Sequence, residues 1–154
     1  MSSGVTPRSD DKRTTRATAL AQDLVALVGR LKRRLREQAH VGDLTPSQTS
    51  TLLRLERDGP ATASNLARAE GMRPQSMGAV IVALEAAGMV RGAPDPNDGR
   101  QTILSLTDAC RKQIREGRAA RQDWLSSAIQ ARLSPREQDK IAAAVALLKR
   151  LVDD

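Results

Sequence analysis

Apolar side chains recur at helical spacing along most of this chain. Leu20, Leu24, Leu27, Val28, Leu31 and Leu35 fall at i, i+4, i+7, i+8, i+11 and i+15, one stripe of a long first helix. Its other face carries Arg30, Lys32, Arg33, Arg34 and Arg36. Residues 1–13 are polar without period and are expected to be disordered. Gly42-Asp43 breaks the helix, and Thr45-Pro46-Ser47-Gln48 opens a second with a capping box and proline in the first turn. Leu52, Leu53 and Leu55 are expected to form its apolar side, and Asp58-Gly59-Pro60 ends it. Thr62 to Glu70 reads as a short third helix with Leu66 and Ala67 inward, and Pro74 to Ala87 as a fourth, stopped by Gly88. An extended stretch from Met89 and a strand at 102–106 flank a turn-rich tip from Pro94 to Gly99, which predicts a β-hairpin. Thr107 caps a fifth helix to about Arg132. Ser134-Pro135-Arg136-Glu137 opens a sixth, with Ile141, Val145, Leu148 and Val152 on one face.

Three helices followed by a hairpin is the element order of a winged helix-turn-helix. The expected fold is therefore mainly α with a small β-hairpin wing, flanked by N- and C-terminal helices. The long helices have more apolar surface than the central unit can cover, so a homodimer interface is their simplest use. This divides the chain into a tail (1–13), an N-terminal dimerisation helix (14–42), a winged helix-turn-helix DNA-binding region (43–106) and C-terminal dimerisation helices (107–154).

Composition narrows the function classes. The 154 residues carry 25 Lys and Arg against 18 Asp and Glu, a formal net charge of +7, which favours a polyanionic partner. A single Cys and a single His exclude an intrachain disulfide and a multi-histidine or four-cysteine metal centre. No metal, cofactor or enzymatic constellation is expected. No apolar run approaches a membrane span and no signal peptide is recognised, so the expected location is the cytoplasm, away from membranes. Trp124 is the lone aromatic residue, which argues against base stacking on single strands and requires an aliphatic core.

The fourth helix is the informative one. Met77, Val80, Ile81 and Leu84 share one face and should point to the core. Gln75, Ser76, Ala79, Val82 and Ala83 then point outward. The major groove of double-stranded DNA admits an α-helix, and there Gln75 can pair with adenine, Ser76 is adaptable, and Ala79 or Val82 can touch a thymine methyl.

Several segments carry a resemblance. They are Leu44-Thr45-Pro46-Ser47-Gln48, Asn65-Leu66-Ala67, Leu84 to Val90, and above all Asp98-Gly99-Arg100 ahead of Leu104-Ser105-Leu106-Thr107. Together they resemble the MarR family of bacterial transcription regulators from about residue 18 to 152. The resemblance implies a homodimeric repressor on a near-palindromic operator. It implies that Arg100 at the wing tip enters the minor groove and that Asp98 supports it by a side-chain pair. Arg68, Arg73 and Arg91 would meet phosphates. A small anionic effector could bind near Arg36 and His40 and release the operator. The chain departs from the family at Arg73, where a capping serine is usual, at Gly78 and Ala79, where polar or basic residues are common, and at Cys110, in place of a glycine. Two alternatives stay open: a non-specific architectural DNA-binding protein, and a redox-responsive regulator using Cys110.

Overall fold

The structure, a computed structural model, describes residues 9–39 and 42–153. The elements run α1 (Ser9–Gln38), α2 (Pro46–Asp58), β1 (Ala61–Thr62), α3 (Ala63–Ala69), α4 (Pro74–Ala86), β2 (Val90–Pro94), β3 (Thr102–Leu106), α5 (Asp108–Arg132) and α6 (Pro135–Lys149). The chain divides into two compact units, residues 39–122 and residues up to 38 together with those from 123 onward.

The unit of residues 39–122 holds the winged helix-turn-helix. Its helices begin as their sequences dictate. Thr45 accepts from the Gln48 N–H while the Gln48 side chain accepts from the Thr45 N–H, closing the capping box of α2. Thr62 caps α3 through the Asn65 N–H. Gly88 adopts φ +70° directly after the last turn of α4, a conformation that favours glycine, and the following Met89 N–H bonds back to the Leu84 carbonyl.

The sheet has three antiparallel strands in the order β1-β3-β2, one more than the expected hairpin. β1 is only two residues, Ala61 and Thr62, paired with Leu104 and Ile103, too short to leave an alternating pattern. The hydrophobic cluster is aliphatic apart from sulfur: Leu52, Leu55, Leu66, Met77, Ile81, Leu84, Val90, Leu104, Leu106, Cys110 and Ile114 pack together with Ala67, and the one buried polar residue among those described is Thr51. Leu53 was expected beside Leu52 and Leu55 but is exposed, because it lies about 100° round α2 from Leu52. Val80 is only half-buried.

Two links tie α2 to its neighbours. Arg54 pairs with Glu70, which also accepts from the Ser50 hydroxyl at 2.7 Å, joining α2 to the end of α3. Arg118 of α5 meets both carboxylate oxygens of Glu56 at 2.7 Å each, a bidentate pair.

The second unit contains α1, the end of α5 and α6. α1 starts at Ser9, earlier than the expected start near residue 14, so residues 9–13 belong to the helix; residues 1–8 of the expected tail lie outside the described residues. α6 opens on the expected capping box of Ser134 and Glu137. Its apolar residues are not covered within the unit. No residue of α6 is buried, and Ile141, Val145, Leu147 and Leu148 are all exposed. On α1, Leu20, Val25, Leu27 and Val28 are exposed as well. Among the described residues, no helix is long and apolar enough to cross a membrane.

Candidate nucleic-acid interface

α4 divides cleanly into two sides. Met77 and Leu84 are fully buried and Ile81 nearly so, which fixes the helix's rotation. Gln75, Ser76, Ala79 and Val82 are consequently all exposed, with Val82 at 66%. Ala83, expected outward too, is half-buried. Arg73 is the N-cap residue and makes no side-chain cap, as its lack of an acceptor requires. The first N–H groups of α4 are thus left without a side-chain partner.

The wing hangs on Thr107. Its hydroxyl donates to the Gly88 carbonyl at 2.7 Å and accepts from the Cys110 N–H at 3.1 Å, and its own N–H donates to the Met89 carbonyl. One residue therefore clamps the end of α4, the end of β3 and the start of α5. The sequence by itself shows only the capping role. Between the strands, Gly92 sits opposite Leu104, and a Cβ there would lie 2.7 Å from the Thr102 methyl. A side chain at that position would force Thr102 to move.

The wing tip differs from expectation in one respect. Asp98 does not pair with the Arg100 guanidinium. Its Oδ1 accepts from the Arg100 backbone N–H at 3.1 Å, and Asp95 does the same for Asn97 at 2.9 Å. A carboxylate two residues before an N–H reaches it more readily than a mobile side chain, so both aspartates shape the turn. The Arg100 guanidinium is left exposed with no partner among the described residues. Arg68 in the last turn of α3, Arg73, and Arg91 on β2 are exposed and unpaired likewise. By contrast, Arg54, Arg57 and Arg118 are all engaged by carboxylates. Residues 61–106 carry four arginines, Arg68, Arg73, Arg91 and Arg100, against four carboxylates, Glu70, Glu85, Asp95 and Asp98. The net positive charge of the chain therefore lies elsewhere, chiefly on α1 and α5.

Of the two suggested effector residues, Arg36 is exposed on α1 and His40 lies outside the described residues. A cleft of about 170 Å3 in the winged unit is lined by Arg54, Asp58, Asn65 and neighbouring residues. Cys110 is 2% exposed in the core, and burial pushes its thiol up from the ordinary value, against the opposing pull of Arg111. Such a thiol resists forming the reactive thiolate. Among the described residues, no three His, Cys, Asp or Glu side chains are grouped to hold a metal ion.

Comparisons with known proteins agree with this architecture. The model of the MarR family matches residues 44–102. An uncharacterized HTH-type transcriptional regulator of Mycobacterium bovis is 38% identical over 135 residues, 88% of this chain and 94% of that protein. The crystal structure of a transcriptional regulator protein from Pseudomonas aeruginosa matches with a TM-score of 0.77 at 34% identity, covering 90% of this chain and 98% of that one. A mutant of MepR from S. aureus, solved bound to an oligodeoxyribonucleotide, shares the fold with a TM-score of 0.68 at 19% identity, over 87% of this chain and 98% of that one.

Proposed function

This chain belongs to the MarR family of transcriptional regulators, and from that premise we propose that it is a homodimeric repressor that binds a near-palindromic DNA operator. α4 enters the major groove, and the wing enters the flanking minor groove through Arg100. Arg68, Arg73 and Arg91 meet phosphates, and the uncapped start of α4 adds N–H donors of the kind that suit a phosphate oxygen. The exposed apolar faces of α1 and α6 meet their counterparts in a second copy, giving two recognition helices related by two-fold symmetry. Bound at a promoter in the cytoplasm, the dimer blocks transcription. A ligand would release it only by binding one spacing of the two recognition helices better than the other.

The observation that carries this reading is the unpartnered Arg100 guanidinium, held on a tip whose two aspartates are spent on the backbone. The even balance of charge across residues 61–106 counts against a purely phosphate-driven architectural binder, whose affinity would rest on a cationic docking surface.

The test is a titration of a fluorescent promoter-derived duplex with the wild type and with Arg100→Ala. The substitution should weaken binding roughly tenfold, the scale of one lost groove contact, with unchanged helical content. Equal affinity of the two proteins, or no binding by either, would refute the wing's role.

A further inference from the structure

The commonest specific base contact is a bidentate Arg or Lys on guanine O6 and N7. α4 cannot make it. From Pro74 to Leu84 the helix has no charged side chain, and its single ionisable group, Glu85, lies in the last turn. Polar readout is confined to the first turn, at Gln75 and Ser76. Beyond it, the exposed face offers only the methyl groups of Ala79 and Val82.

Gly78 adds an independent observation. It lies inside α4, where glycine lowers helix stability relative to alanine. The fold does not require it: its φ is not positive, and a Cβ built there meets nothing within 4 Å. It adjoins Gln75, Ala79 and Val82 on the same side of the helix. The half-buried Gly78 therefore relieves no internal clash, and packing within the chain does not account for it. Its effect is to let that side of α4 approach another surface more closely.

We infer that α4 recognises its half-site through thymine C5-methyl groups, contacted by Ala79 and Val82, with Gln75 on a neighbouring adenine and Gly78 allowing the helix to sit deep in the groove. The inference rests on the DNA-binding reading above and assigns the base class that this site selects. Each methyl buried against Ala79 or Val82 is worth about fourfold in affinity, from the transfer free energy of one methylene-sized group.

The experiment begins with an operator selected from a randomised duplex pool by the full-length protein. The thymines of one half-site are then replaced by deoxyuridine, which keeps base pairing and removes only the C5-methyl. The expected result is a loss of about fourfold for each contacted methyl, and no loss for the same replacement outside the half-site. Val82→Ala should weaken binding to the thymine duplex and lose its sensitivity to deoxyuridine at the thymine that Val82 contacts, while keeping it at the thymine that Ala79 contacts. Gly78→Ala should raise the thermal midpoint while weakening operator binding. A selected half-site centred on G·C pairs would overturn the inference. So would a deoxyuridine duplex bound as tightly as the thymine duplex, or a Gly78→Ala protein with undiminished affinity. These leave DNA binding itself intact, whereas retention of no duplex at all would remove the underlying reading as well.

Discussion

Leu84 and Val82 lie two residues apart on α4 and should behave oppositely. Leu84 is 0% exposed within the core cluster, whereas Val82 is 66% exposed. Leu84→Ala removes three carbons, a transfer loss of about 2.4 kcal/mol at roughly 0.8 kcal/mol each. Leu84 belongs to the same buried cluster as Leu66, Met77 and Leu104, which can collapse only partly, so a residual cavity raises the cost to about 3–4 kcal/mol. Val82→Ala leaves no cavity and should change stability by less than about 0.5 kcal/mol. The assay is urea unfolding followed by far-ultraviolet circular dichroism, at one fixed protein concentration because the proposed dimerisation would contribute to apparent stability. The same two proteins are then titrated against operator DNA under native conditions. Val82→Ala should lose affinity without losing stability. A Val82→Ala protein less stable than Leu84→Ala, or a Leu84→Ala protein within about 0.5 kcal/mol of wild type, would show that α4 is rotated away from the orientation described and that its exposed face has been misassigned.

Three further outcomes follow from the same packing. Cys110 should react with a thiol reagent slowly in the native protein and rapidly in urea, and oxidant should leave DNA binding unchanged; rapid native labelling together with oxidant-dependent release would restore a thiol switch. Glu70 is held below its ordinary value of 4.5, first by the Arg54 hydrogen bond and then by Ser50. Its contribution is therefore complete above that value and is lost as pH falls through the lower folded value, so Glu70→Gln should cost about 1–2 kcal/mol at neutral pH and nothing at the acid end; an equal cost at both ends of a pH series would contradict the pairing. The Arg118–Glu56 pair is bidentate, with Arg118 exposed and Glu56 partly buried, so a double-mutant cycle should give a coupling of about 0.5–1 kcal/mol, reduced by salt; zero coupling at low salt would mean that the two side chains do not hold each other in solution.

Legibility in the sequence followed the range of the interactions. Capping boxes are local, and those at Thr45 and Ser134 are present as written in the chain. The rotation of α4 was also legible, because Met77, Ile81 and Leu84 repeat at helical spacing and are buried. β1 was not, since a two-residue strand exists only by virtue of its pairing with β3 across some forty residues. Leu53 misled because three leucines in four positions look like one face when they cannot all share it. At the wing, the Asp98-Gly99-Arg100 motif sets the two side chains close in sequence but does not fix the bond between them. A sequence cannot say whether a carboxylate will take a guanidinium or the nearer backbone N–H, and here it takes the N–H. Thr107 was read as a cap, and its second bond, to Gly88, depends on the return of β3 beside the end of α4.

The central claim is sequence-specific recognition by a two-fold dimer. It is tested most directly by selecting bound duplexes from a randomised pool at near-physiological salt and sequencing them. The account predicts an enriched inverted repeat, with half-sites centred roughly one helical turn, about 10 base pairs, apart. DNA retained without any enriched sequence would contradict it, and would assign binding to the basic surfaces of the chain acting on phosphates alone.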